Sequence, residues 1–293
     1  MSKAIEKSSA IPDPIPAGGA MFLKAFLGLY LRDLRVLSRE LMPFVLRVGM
    51  QPLLFLFVFT FIMPRMSGGN PMMAGMAGGM TGGMGGGAGF GTVLLPGLMA
   101  VAIMFSGIAA VALPLSTEFG ITREIDDRVM CPVPVWAVAV EKMCFSAMQS
   151  MAGALLVIPM AILIPATPVY PHIHNWFLFA LVLIMASLLA GALGLAIGSS
   201  VSPRQIGLVF SIIVVPITFL GCVYYPWEGL KNIVWLKYAV LFNPIVYISE
   251  GLRAAVTPEV EHMPVWGILL ALTVFLVILG RFGIRGFLKR VIS

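Results

Sequence analysis

The sequence predicts an all-α integral membrane protein with six transmembrane helices. Of its 293 residues, 59% are hydrophobic and only 11% charged, against roughly a quarter charged in a soluble domain. The apolar residues gather in blocks of about twenty, the length a helix needs to cross the hydrocarbon core. Lysine and arginine concentrate in alternate connections between those blocks, as they do when one set of loops faces the cytoplasm.

The spans are expected near Phe44–Met63, Leu94–Leu115, Met143–Ile164, Trp176–Gly198, Ile206–Tyr225 and Val265–Gly280. Pro52, Pro96, Pro159 and Pro216 fall inside these windows. Neighbouring helices in a membrane satisfy the backbone groups a proline frees, so they do not veto the assignment. The organisation is then a flexible polar segment over 1–20, an amphipathic interfacial helix over 21–43 and a transmembrane domain over 44–293. That domain has an outer loop over 66–91, an inner loop over 117–142 and an outer broken-helix segment over 222–262.

Fourteen basic residues fall on the side of the termini and four on the opposite side, with Arg47 inside the first span. Both termini are therefore expected in the cytoplasm. The polar start, with Pro12, Pro14 and Pro16, lacks the apolar core and cleavage site of a removable signal. The net charge of +6 fits basic inner loops and anionic lipid rather than nucleic acid. Cys131, Cys144 and Cys222 have no spacing of a disulfide framework or zinc site.

From Met21 to Leu41, Lys24, Arg32, Arg35 and Arg39 share one arc at helical spacing. Phe22, Phe26, Leu29, Tyr30, Leu34 and Leu37 take the broad opposite side. Such a helix suits the cytoplasmic headgroup layer, and Pro43 marks the turn into the first span. Asp33 and Glu40 project from the apolar side, where they either snorkel, pair with nearby arginines or meet a partner subunit.

Ser67 to Gly91 holds twelve glycines with Met72, Met73, Met76, Met80 and Met84, a composition that reads as a flexible loop. Thioethers every fourth residue would converge on Cu(I) only on a helix, which this glycine content opposes. Ala186, Ala190, Gly194 and Gly198 form a small-residue stripe along the fourth span, and Ser146, Ser150 and Ala154 another along the third. Both predict close helix packing, within the chain or with another copy.

No acidic residue lies mid-span, and His172, His174 and His262 map to outer connections, which disfavours ion-coupled transport. His172 and His174 alone do not make a metal site. No Gly-x-x-x-x-Gly-Lys-Ser/Thr is present, nor a nucleophile elbow or His-Glu-x-x-His helix. No catalytic residue, bound metal or cofactor is expected.

Two segments stand out. The inner loop carries Glu118, Arg123, Glu124, Asp126, Asp127 and Arg128, then Cys131-Pro132-Val133-Pro134, and fits either a solvated turn or a docking knob for a cytoplasmic partner. The outer stretch from Gly221 to Arg253 is aromatic yet broken by Pro226 and Asn243-Pro244. Re-entrant or interfacial helices fit it. Glu250 and Arg253, three apart, share a helix face and can pair, as a structural staple or as part of an outer gate.

In order and spacing, these features resemble the type-2 ABC exporter permeases, the polysaccharide, lipid and drug export type. The resemblance rests on Leu95-Pro96-Gly97, on Arg123-Glu124-Ile125-Asp126-Asp127 with Pro132-Val133-Pro134, on Gly221 with Tyr225-Pro226, and on Asn243-Pro244, Tyr247, Glu250 and Arg253. Where the family often has Gly-Thr after the Arg-Glu pair, Ile125-Asp126 stands. The resemblance implies a permease in a bacterial plasma membrane that moves an amphipathic substrate outward: a lipid-linked glycan, a lipid or a hydrophobic drug. It implies two ATPase subunits that bind ATP and Mg and contact the Met21–Leu41 helix and the Arg123–Pro134 segment. It also implies a second permease chain, the same one more readily than a different one, with Tyr225, Pro226, Asn243, Pro244, Tyr247, Glu250 and Arg253 in an outer gate. The competing expectation is an ATP-independent channel or secondary carrier.

Overall fold

The computed structural model describes residues 19–62, 90–122, 134–163, 173–260 and 262–292. Every regular element among them is helical. In chain order these are α1 (Gly19–Arg39), α2 (Leu41–Leu56), α3 (Phe90–Thr117), α4 (Val135–Leu163), α5 (Trp176–Ser200), α6 (Ile206–Phe219), α7 (Val234–Ala239), α8 (Pro244–Val256) and α9 (Val265–Ile292). The glycine–methionine segment lies outside the described residues.

Among these, α3, α4, α5 and α9 are long and apolar enough to cross a membrane. A short 3-10 turn extends α7 to Phe242, and α7 and α8 then form a pair bent by 97°, a broken span or re-entrant loop. The shorter apolar helices α2 and α6 occupy the first and fifth expected blocks. The backbone of α2 continues in a π-helical stretch, Phe57–Ile62, while α6 stops at Phe219.

Physical reasons account for the main departures from the hydropathy windows. A bend at Glu40 separates α1 from α2, so Pro43 sits in the first turn, where a missing N–H costs nothing. The fifth block ends early because Cys222 takes a left-handed φ of 51°. A β-carbon on neighbouring Gly221 would stand 2.6 Å from Ile245 Cγ2. The third span begins eight residues before its expected start because Glu141 and Lys142 are buried inside α4 rather than solvated in a loop. Arg281, Arg285, Lys289 and Arg290 likewise extend α9 as helix.

The core is built on α3, which packs against α4, α5 and α8, while α9 packs on α5. Leu95, Met99, Ile103 and Met104 of α3 are fully buried. The small-residue stripe of α5 lies against α3. A β-carbon on Gly194 would stand 3.0 Å from the Ile108 carbonyl oxygen, and one on Gly198 3.0 Å from Ala112 Cα. Ala190 faces Gly107 so closely that a β-carbon on Gly107 would come within 2.5 Å.

Exposed apolar side chains on α2, α6 and α9, among them Leu46, Leu54, Ile212, Phe219, Leu270 and Phe282, suit contact with lipid or a second chain. Trp176, Phe177 and Trp266 are exposed at one end of the bundle. At the other, the Trp136 ring packs at a tilt against Phe22 of α1 at 6.3 Å. Amphipathic rings at both ends are the pattern of membrane–water interfaces.

Candidate functional site

The end of the bundle that carries α1 is termed the inner end. There α3 passes into a π-helical turn, Glu118–Thr122, and α4 starts beyond the undescribed 123–133. Lys142, two turns into α4, donates to Asp33 Oδ2 of α1 at 3.1 Å and to Glu118 Oε1 at 3.0 Å. All three side chains are over nine-tenths buried. An ammonium between two carboxylates ties α1, α4 and the end of α3 together.

The same turn touches two further elements. Phe119 packs edge-on against Phe287 of α9 at 5.7 Å. The Arg290 guanidinium lies 4.8 Å over the Phe119 ring. Arg290 Nη1 also donates to the carbonyls of Gly198, Ser199 and Val201 at 3.2, 3.0 and 2.9 Å, a cation on the C-terminus of α5. A β-carbon on Gly120 would come within 2.7 Å of Pro203 Cδ, in the connection from α5 to α6. One turn at the root of the inner loop thus meets α1 and α4, α9, and the α5–α6 connection.

Of the residues expected to couple, Glu118 and Asp33 are brought together through Lys142. Glu40 is exposed at the bend between α1 and α2. Arg123, Glu124, Asp126, Asp127 and Arg128 lie outside the described residues. Asp33 faces inward, so its carboxylate meets Lys142 and not solvent. On the same face of α1, burial, and then the nearness of Cys144 and Glu141, raises the Tyr30 phenol above its ordinary value. It therefore stays a neutral donor, and its hydroxyl reaches Met148 Sδ at 3.0 Å.

At the outer end, Glu250 and Arg253 of α8 form an ion pair with no exposure. Glu250 also accepts from the backbone N–H of Trp227 at 3.0 Å and of Met263 at 3.1 Å, and Arg253 Nη2 donates to the Cys222 carbonyl at 3.2 Å. One pair fastens the chain after α6, the 3-10 turn at Trp227 and the segment entering α9. Asn243 caps α8, accepting from Ile245 N at 3.0 Å, and its amide donates to the Ile217 carbonyl of α6 at 2.6 Å. Pro244 follows at the first position of α8, where its missing N–H is no loss. Tyr247 donates to the Leu241 carbonyl at 3.0 Å, and Ser249 to that of Gly221 at 2.9 Å. Tyr225 is half-buried and Pro226 buried, directly before the 3-10 turn. His174 and His262 are part of no metal cluster among the described residues.

The expected outer residues therefore converge, while Lys142 is the residue that sequence reasoning placed in a loop. Its signal is the Glu141-Lys142 pair directly ahead of an apolar block, which helical numbering carries into the span.

The chain carrying this inner ion triad and these broken outer helices matches a known family model. The membrane-domain model described as "ABC2_membrane: ABC-2 type transporter" matches residues 25–257. The chain belongs to the ABC-2 type transporter membrane family. It is a multi-pass permease subunit, whose matched domain hydrolyses no ATP and holds no cofactor; the ATP is bound by a partner ATPase subunit. No curated protein and no solved structure matches the chain.

Proposed function

We propose that the chain is one of two identical permease subunits of an exporter that moves an amphipathic molecule out of the cytoplasm of a bacterium, driven by two ATPase subunits. Both termini then face the cytoplasm, and the pathway runs between the two permeases along α2 and α6, whose apolar faces are exposed in the single chain. The observation that carries the coupling half of this reading is the π-helical turn Glu118–Thr122. A push on the adjoining inner loop would reach α1 and α4 through the Lys142 pair, α9 through Phe119, and the entrance to α6 through Pro203. Rigid helices then carry that displacement across the membrane. At the outer end, the α7–α8 bend forms the gate, with Glu250–Arg253 as its fixed hinge point.

The test is reconstitution of the permease with its ATPase in vesicles. ATP-dependent, vanadate-sensitive accumulation of an amphipathic substrate is expected. Glu118→Gln should leave the complex assembled and hydrolysing ATP while transport per ATP falls about tenfold. Full flux with no ATPase subunit present would overturn the reading.

A further inference from the structure

Between α1, α2, α3 and α4 at the inner end lies a cavity of about 330 Å³. We propose that it takes the headgroup of one ethanolamine phospholipid, its phosphate on Arg47 and Gln149 and its ammonium on Glu40.

Six ionisable side chains line the cavity: Arg32, Arg47, Lys142, Asp33, Glu40 and Glu118. Three are basic and three acidic, so the lining favours neither a pure anion nor a pure cation. Lys142 occupies Asp33 and Glu118. Arg47 and Glu40 have no ion pair or hydrogen bond to their side chains among the described residues, and the Gln149 amide has none either. An arginine within an apolar helix calls for a partner, because a bare guanidinium in the membrane is costly. Its planar fork matches a phosphate in two-point fashion.

The order of the groups fits a lipid's own polarity. Glu40 stands at the start of α2, and Arg47 lies about 10 Å deeper along the helix. The ammonium of an ethanolamine headgroup can sit nearer the water than the phosphate to which it is joined. Deeper still, Met50 and Leu54, three and seven residues beyond Arg47, share its helix face and are 48% and 52% exposed. They offer an acyl chain a continuous apolar track. Ala109, Ala110 and Phe145 also line the cavity.

The test is lipid selectivity of the purified full-length permease. It is equilibrated with bilayers of equal parts phosphatidylethanolamine, phosphatidylcholine and phosphatidylglycerol, then stripped with detergent, and the retained lipid is identified by mass spectrometry. One phosphatidylethanolamine per chain is expected, enriched at least fivefold over both others. Phosphatidylcholine keeps the phosphate but no N–H donor for Glu40, and phosphatidylglycerol keeps the phosphate but no ammonium. Glu40→Gln should remove the preference over phosphatidylcholine, and Arg47→Gln should lower retention of all three about tenfold. Equal retention of the three lipids by the unaltered protein would mean that Arg47 merely snorkels to bulk headgroups, and preference for phosphatidylglycerol would mean a simple anion site. Either result overturns the proposal without any variant, and neither bears on ATP-driven export.

Discussion

Gly97 lies so close to Val223 that a β-carbon there would overlap the Val223 carbonyl oxygen and stand 2.7 Å from its carbonyl carbon. The clash is with backbone on a segment already fixed by the left-handed Cys222 and the Arg253 hydrogen bond to it. It cannot be relieved by a rotamer change. Overpacking of this kind costs about 1–3 kcal/mol or more. Gly97→Ala is therefore expected to lower thermal stability in detergent by at least that amount, while Gly28→Ala, with open space at its β-carbon, leaves stability within about 0.5 kcal/mol or raises it slightly. Equal melting temperatures for Gly97→Ala and the unaltered protein would refute the close approach.

The inner ion triad makes a different kind of prediction. Lys142→Met leaves two buried carboxylates facing each other without their ammonium, and breaking a buried pair in this way costs about 3–5 kcal/mol. Replacing the set together, as Asp33→Asn/Lys142→Met/Glu118→Gln, removes the uncompensated charge and should recover most of that loss. Denaturant or thermal unfolding of the single and triple variants decides it. A triple variant as unstable as Lys142→Met would show that the three groups do not act as a unit.

How much of this was legible beforehand depends on the range of each contact. The Glu250–Arg253 pairing follows from their spacing on one helix turn, and the close approach along Gly194 and Gly198 from a four-residue repeat of small side chains. The triad was not legible, because Lys142 lies 109 residues from Asp33 and 24 from Glu118, and hydropathy ends a span at the first charges it meets. The early end of α6 was hidden for another reason. Its cause is a backbone turn at Gly221-Cys222, which an apolar window passes over without change. The helix-packing stripe left its partner open, and the answer, α3 of the same chain, comes only from the tertiary arrangement.

At the outer end, Glu250 accepts from Arg253 and from the backbone N–H groups of Trp227 and Met263, and Arg253 donates to Glu250 and to the Cys222 carbonyl through separate nitrogens. A lysine at 253 carries the charge as a single point and cannot reach Glu250 and the Cys222 carbonyl in the same fork geometry. Arg253→Lys is thus expected to keep the charge yet lose about 1–3 kcal/mol, the cost of the stranded carbonyl. Glu250→Gln should cost about 3–5 kcal/mol by leaving the guanidinium buried without its counter-charge. Thermal unfolding of both, with limited proteolysis in the 226–243 stretch as a local readout, checks the order. Stability loss without increased cleavage there would show that the pair does not hold the outer segments.

The small-residue stripe of α5 allows intrachain packing to be separated from self-association. Gly194 faces the Ile108 carbonyl oxygen, and Gly198 faces Ala112 and Leu115, all on α3; this face is already filled by the chain itself. A branched side chain at Gly198 must push α3 and α5 apart, with a cost of about 1–3 kcal/mol. It touches none of the exposed apolar surface on α2, α6 or α9 through which a second chain would dock. Gly198→Val is therefore expected to lower thermal stability while leaving the ratio of dimer to monomer in detergent unchanged. Ile212→Glu, on an exposed position of α6, should do the reverse, shifting the ratio toward monomer with little change in monomer stability. Sedimentation and thermal unfolding of the two variants side by side distinguish the roles, since a stripe that bound another copy would lose its dimer in the Gly198 variant first.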